Sequence, residues 1–149
     1  LFLILENLQD PGNLGTMIRT GEGAGITGVI MNSQTVDIFN PKTIRATMGS
    51  IFRVPFVYVP ELSPVLTQMH EKGIHTYAAH LKGKEYYDSF SFREPTAFLI
   101  GNEGNGLTKE ISDQSGQYLK IPMEGKVESL NASIAAALLM YEAHRQRKL

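Results

Sequence analysis

Phe98-Leu99-Ile100-Gly101-Asn102-Glu103-Gly104-Asn105-Gly106-Leu107 is an apolar run that empties into three glycines within six positions. With Pro95 ahead of it and Ala97 at its start, the apolar part reads as a short, fully buried strand. The glycine part reads as a turn at the carboxyl end of that strand, where open α/β sheets take their ligands. Glycines in such a place either satisfy a tight turn or let a ligand approach the main chain, since each removes a side chain and permits φ > 0. The order G-x-x-G-x-G is neither the dinucleotide fingerprint nor a phosphate loop closed by Gly-Lys-Ser/Thr. Glu103 points the same way, because a carboxylate here repels phosphate and tolerates a cation.

Short apolar runs, each followed by a turn and a helix-like pattern, recur on both sides of this stretch, the alternation of an α/β sheet. Upstream, residues 1–5, 29–31, 54–59 and 76–79 read as strands, the third at an edge or with an irregular start because of Pro55. Asp10-Pro11-Gly12-Asn13 reads as a turn before a helix that carries Leu14, Met17, Ile18 and Gly21. Asn40-Pro41 opens a second helix as N-cap and first-turn proline, ending near Gly49, and Ser63-Pro64 opens a third, ending at Gly73. Downstream, residues 118–121 form a sixth strand and residues 129–147 a final helix. Residues 81–94 are the one loosely organised region, whose tyrosines and phenylalanines are expected to pack locally. No repeat, low-complexity tract or linker divides the chain, so residues 1–149 read as one domain.

The totals narrow the function classes. A chain of 149 residues that is 42% hydrophobic can bury a core without covalent staples. It has no cysteine, which excludes disulfides, thiolate metal sites and a cysteine nucleophile, and implies a reducing, cytoplasmic setting. The longest apolar run, residues 134–141, is far too short to span a bilayer, so no membrane partner is expected. His70, His75, His80 and His144 form no recognisable metal set. The net charge of −1 gives no global field to attract a polyanion, so any affinity for nucleic acid must be local. Lys42, Arg45 and Arg53 flank one segment and Arg145, Arg147 and Lys148 close the chain; both groups read either as solvated helix faces or as phosphate contacts. The chain opens on Leu1 at a core strand, which suggests a fragment lacking an N-terminal domain.

Two further segments carry polar residues that a core does not need. Ile121-Pro122-Met123 is followed by Glu128-Ser129-Leu130-Asn131-Ala132-Ser133, a strand, a loop and then a helix with a polar start. Ser129 or Asn131 as an N-cap accounts for one of these side chains and leaves the other for ligand recognition. Asn13-Leu14-Gly15-Thr16-Met17-Ile18-Arg19-Thr20-Gly21 places Asn13 and Arg19 six positions apart, so a helix turns them in different directions. Arg19 lies among apolar residues, where a long basic side chain either reaches out to water or meets an anion.

Together, residues 13–19, 99–107 and 121–132 resemble the three ordered motifs of the SpoU (TrmH-like) branch of the SPOUT RNA methyltransferases. Residues 40–49 are similar to the family's intermediate helix, and the likeness covers essentially the whole chain. The resemblance implies a mostly parallel sheet flanked by helices, with a C-terminal deep trefoil knot. It implies a ribose 2′-O-methyltransferase acting on ribosomal RNA, or on transfer RNA, with S-adenosylmethionine as methyl donor and no metal. By position, the donor would be held by main-chain groups of Leu99, Gly101, Ile121, Met123 and Leu130, helped by the side chains of Ser129 and Asn131. Arg19 matches the family's arginine at the reacting hydroxyl, with Asn13, Glu103, Ser129 and Asn131 completing the site. The resemblance also implies a homodimer through the final helix, whose residues 134–141 are apolar on every face. Two other readings compete: a noncatalytic RNA-binding or assembly module that keeps the fold, and an unrelated nucleotide-binding α/β enzyme. The first is disfavoured by the presence of Asn13, Arg19, Glu103 and Asn131, the second by the lack of a phosphate-binding lysine or ribose-reading acid in context.

Overall fold

The computed structural model describes residues 1–148. Six strands form one sheet: β1 (Phe2–Leu5), β2 (Gly28–Asn32), β3 (Phe56–Val59), β4 (His75–Ala79), β5 (Thr96–Ile100) and β6 (Gln117–Leu119). Their order is β3-β2-β1-β5-β4-β6, and every pair is parallel. β1 is central, with Leu3 opposite Val29 on one side and Phe98 on the other. The chain runs outward from β1 to β3, crosses over, and returns through β4 to β5. The order therefore reverses between β1 and β5, and their carboxyl ends form the crevice where such sheets bind ligands.

Both faces of the sheet are covered, as a parallel sheet requires. Leu3, Leu5, Met31, Phe98 and Ile100 pack with Leu14, Met17 and Ile18 of α1 (Pro11–Ala24) and with Ala136, Leu139, Met140 and Ala143 of α5 (Ala132–Arg147). On the other face Ile4, Ala78, Ala97 and Leu99 pack with Leu66 and Met69 of α3 (Ser63–Glu71) and Ile111 of α4 (Lys109–Gln114). α2 (Pro41–Thr47) lies against α1, and a methyl group on Gly15 would stand 2.5 Å from the Thr43 carbonyl oxygen, so the two backbones meet where a side chain is missing.

Several local expectations change. Asp10-Pro11 is no turn: α1 starts at Pro11, and the Asp10 carboxylate caps it by accepting from the Asn13 N–H at 2.8 Å. β3 is an edge strand, as Pro55 predicts, but begins only at Phe56. α3 starts at Ser63 without a side-chain cap. α5 starts at Ala132 rather than Ser129, with Asn131 as its cap. α4 was not expected from its six residues; Thr108 caps it by accepting from the Ile111 N–H.

The aromatic residues between β4 and β5 do not pack among themselves alone. Phe92 is fully buried and meets Tyr77 and Phe98 edge-to-face, with ring centroids 5.1 and 4.9 Å apart. Residues 85–87 of this excursion run along the outer side of β6, the Lys120 N–H donating to the Glu85 carbonyl and the Tyr87 N–H to the Lys120 carbonyl. Farther on, Gln146 accepts from the Phe92 N–H and donates to the Phe90 carbonyl, while Arg147 donates to the carbonyls of Phe92 and Glu94. One excursion thus covers β6 and is clasped by the end of α5.

Candidate functional site

The three polar segments converge at the reversal point between β1 and β5. The glycine loop leaves β5 and returns on itself, with Asn102 and Gly106 exchanging main-chain hydrogen bonds of 3.1 and 2.8 Å. A methyl group on Gly101 would lie 2.1 Å from the Gly106 carbonyl carbon and from the Leu107 nitrogen, so the returning chain already fills that space. Gly106 has φ +68°, the left-handed region in which glycine alone is unstrained. The Asn102 side chain donates to the Asn7 carbonyl and accepts from the N–H groups of Gly104 and Asn105.

Glu103 at the loop tip accepts from the Gln9 N–H at 3.0 and 3.1 Å and from the Asp10 N–H at 2.7 Å. Its carboxylate therefore ties the glycine loop to the turn that starts α1. Asp10 caps Asn13, and the Asn13 side-chain oxygen accepts from the Asn131 amide at 3.1 Å. Asn131 caps α5 with its own oxygen, which accepts from the N–H groups of Ser133 and Ile134. The chain Glu103–Asp10–Asn13–Asn131 joins three segments that lie up to 118 positions apart.

Between β6 and α5 the main chain is unusual. Among the described residues, positions 121–130 make no hydrogen bond, main-chain or side-chain, to the rest of the protein. Main-chain groups beside a folded loop are ordinarily paired; here Ile121, Met123 and Leu130 are half-buried and the rest of the strip is exposed. A row of free N–H and C=O groups flanked by apolar side chains suits a flat heterocycle with polar edges. Ser129 is exposed, so the capping role falls to Asn131 and the Ser129 hydroxyl is left free.

Two expected residues lie apart from this junction. Leu99 is in the interior of β5 between Ile4 and Ala78, with its side chain fully buried. Arg19 is exposed and makes no hydrogen bond or ion pair among the described residues. Six positions correspond to roughly 240° around a helix, so Arg19 projects with Thr16 toward solvent while Asn13 turns to α5. Two cavities, of about 530 and about 270 Å³, lie apart from the Asn13–Asn131 contact, the first beside Tyr118 and the second behind the glycine loop, lined in part by Glu6, Asn7 and Thr108.

Sequence reasoning missed the supports beneath the site. Asn7 takes φ 55°, and it trades side-chain and main-chain hydrogen bonds with Asn32 at 2.7 and 2.9 Å. The buried Glu6 carboxylate accepts from the Thr108 N–H and hydroxyl at 2.8 and 2.7 Å, closing the glycine loop from behind. An Asp-Pro pair at the head of a helix was the one readable signal. Among the histidines, His70 bonds Thr76, His144 bonds the Ala24 carbonyl, and burial lowers the pKa of His80, which stacks on Tyr118. No group of three or more potential ligand residues is arranged to hold a metal among the described residues.

Asn131 has two separable tasks. Asn131→Ala removes the cap of α5, which should cost about 1 kcal/mol and lower the melting temperature by about 2–4 °C. Asn131→Asp keeps the cap and loses the donor to Asn13, so calorimetry should find it close to the parent. Equal destabilisation by both would show that the Asn13 contact, rather than the cap, holds the helix.

Comparison with known proteins bears on the same geometry. The profile of the SpoU rRNA methylase family matches residues 1–141. The chain is 37% identical over 139 residues to the 23S rRNA (guanosine(2553)-2′-O)-methyltransferase RlmP of Bacillus subtilis, covering 93% of itself and 56% of that protein. Its fold matches that of the SpoU methyltransferase AviRb from Streptomyces viridochromogenes in complex with AdoMet, with TM-score 0.93 and 33% identity over 99% of this chain and 58% of that one. It also matches an AdoMet-bound rRNA methyltransferase from Sinorhizobium meliloti, with TM-score 0.89 and 36% identity over 97% and 55%. The chain spans about half the length of the curated relatives it matches, 54% to 59%.

Proposed function

Because the chain belongs to the SpoU rRNA methylase family, we propose that residues 1–149 are the catalytic domain of an enzyme that methylates a ribose 2′-hydroxyl of RNA, ribosomal RNA ahead of transfer RNA. The observation that carries this reading is the unpaired main-chain strip at 121–130, joined to the start of α1 by the Asn131–Asn13 contact. Its free peptide groups fit the adenine edges of S-adenosylmethionine, with the main chain of Ile121, Met123 and Leu130 and the side chain of Ser129 as its holders. When bound, this donor supplies a methyl group on a sulfonium leaving group.

The chain's part is to hold the ribose oxygen in line behind the methyl carbon, which converts an encounter into a positioned reaction. The O–C bond forms as the C–S bond breaks, leaving a 2′-O-methyl ribose and S-adenosylhomocysteine. A guanidinium stays protonated, so Arg19 binds the adjacent phosphate or the charge growing on the 2′-oxygen, and the proton leaves to a phosphate oxygen or water. Glu103 acts by fixing the glycine loop against Gln9 and Asp10.

The direction of Arg19, away from the Asn13–Asn131 junction of its own chain, supports a site completed by a second copy. α5 supports the same assembly: Ile134, Leu138 and Tyr141 are 50%, 37% and 47% exposed along one stripe, and residues 132–141 carry no charge. Leu138→Arg should therefore convert a dimer to a monomer in sedimentation and lose methyl transfer; an unchanged mass would reject the dimer. The clasp of the 85–94 excursion over β6 and α5 supports a knotted C-terminal segment. No helix among the described residues is long and apolar enough to cross a membrane, in keeping with action in the cytoplasm. Choice of target RNA belongs to a region beyond these residues, in line with the greater length of the relatives.

Calorimetric titration with S-adenosylmethionine, ATP and NAD tests the assignment. Saturable binding of the first alone is expected. Binding of ATP or NAD in its place would move the chain to another class of nucleotide-binding enzyme.

A further inference from the structure

A second exposed apolar surface differs from the α5 stripe in its charge. Phe52 is 86% exposed and Met48 68%. Both stand on a turn where Met48 (φ 50°) and Gly49 (φ 87°) reverse the chain, so that Phe52 protrudes. The turn is not loose. The N–H groups of Phe52, Arg53 and Val54 donate to the carbonyls of Gly49 and Ser50 at 2.9–3.1 Å, and Ser50 and Arg53 both bond Glu22 of α1. Glu22 is one helical turn from Arg19, which places the Phe52 turn beside the helix that carries the proposed reacting-site cation.

Residues 41–54 contain Lys42, Arg45 and Arg53 and no Asp or Glu, and Lys42, Arg45 and Arg53 are all exposed. Arg53 is paired with Glu22, but a two-fold self-contact at this surface would bring Lys42 and Arg45 against their own copies, whereas the uncharged α5 stripe has no such obstacle. An aromatic face among cations complements a nucleic-acid strand, with bases stacking on the ring and phosphates meeting the charges.

We propose that Phe52 is a stacking platform for an unpaired base of the RNA, with Lys42 and Arg45 on the flanking phosphates. This rests on the RNA reading above and adds a base-contacting residue outside the donor site.

Anisotropy of a fluorescein-labelled oligoadenylate, and of an abasic phosphodiester of equal length, separates stacking from charge. The chain should prefer the oligoadenylate. Phe52→Ala should lose about tenfold affinity for it with the abasic strand unaffected, and Phe52→Trp should retain the preference. The proposal is overturned if the chain binds neither strand or both alike, if Phe52→Ala matches the parent, or if Phe52→Leu keeps the full preference. It is equally overturned if Phe52→Ala changes only the sedimenting mass, which would mark the face as a contact between copies. Donor titration of the same samples keeps the two readings apart. Lost donor binding with an intact oligoadenylate preference defeats the methyltransferase reading alone, and intact donor binding with no effect at Phe52 defeats this proposal alone.

Discussion

Arg19→Ala is expected to lower methyl transfer by about 10²–10³-fold, the usual loss when one preorganised donor to a developing negative charge is removed. Donor affinity should be unchanged, because Arg19 makes no hydrogen bond to the 121–130 strip and supports no other residue among those described. Stability should also be unchanged for an exposed side chain without partners. Arg19→Lys keeps the charge but not the planar fork, and should recover only part of the rate. Single-turnover rates beside calorimetric donor affinity make the comparison. A variant that turns over at near-parental rate removes Arg19 from the mechanism, and one that loses donor binding makes it part of the donor site.

Gly101→Ala is the second large effect, and it acts by sterics. The added methyl group would meet the Gly106 carbonyl carbon and Leu107 nitrogen at 2.1 Å, and these are main-chain atoms that cannot rotate aside. The Asn102–Gly106 exchange must open, and with it the anchorage of Glu103 on Gln9 and Asp10. Overpacking of this kind costs about 2–3 kcal/mol, or on the order of 5–10 °C in melting temperature for a chain of this size. Donor affinity should fall by about a hundredfold or more, because the loop and the start of α1 shift together. Gly125→Ala is the matched control for melting, since nothing lies within 4 Å of its added methyl group. Parental melting and affinity in Gly101→Ala would mean that the loop yields freely and does not shape the site.

These two residues also show where reading from sequence succeeds. Gly101 follows an apolar run, and a buried strand that ends in glycines is a local signal; the strands around it were legible for the same reason. The polar residues of the other two motifs were visible because a core has no use for them. The strand order β3-β2-β1-β5-β4-β6 was not legible, since parallel pairing between distant segments leaves no local trace. Nor was the use of Glu103: the donors to its carboxylate are main-chain N–H groups 93 and 94 positions away, and main-chain groups look alike in every sequence. Asp10-Pro11 is a different case. The same N-cap and proline device was readable at Asn40-Pro41, but the Gly12-Asn13 that follows Asp10-Pro11 favours a turn locally. Packing of Leu14, Met17 and Ile18 into the core outweighs that preference. Phe92 was hidden likewise, because only the tertiary fold brings it to Tyr77 and Phe98.

The most direct measurement is transfer of a labelled methyl group from S-adenosylmethionine to total RNA, followed by alkaline hydrolysis. A ribose whose 2′-oxygen is methylated cannot attack its own phosphate, so the label should emerge in alkali-resistant dinucleotides, and the Arg19→Ala protein should yield them about 10²–10³-fold more slowly. Label recovered on a base in ordinary mononucleotides, or bound donor with no label in RNA at all, would contradict ribose methylation by this site.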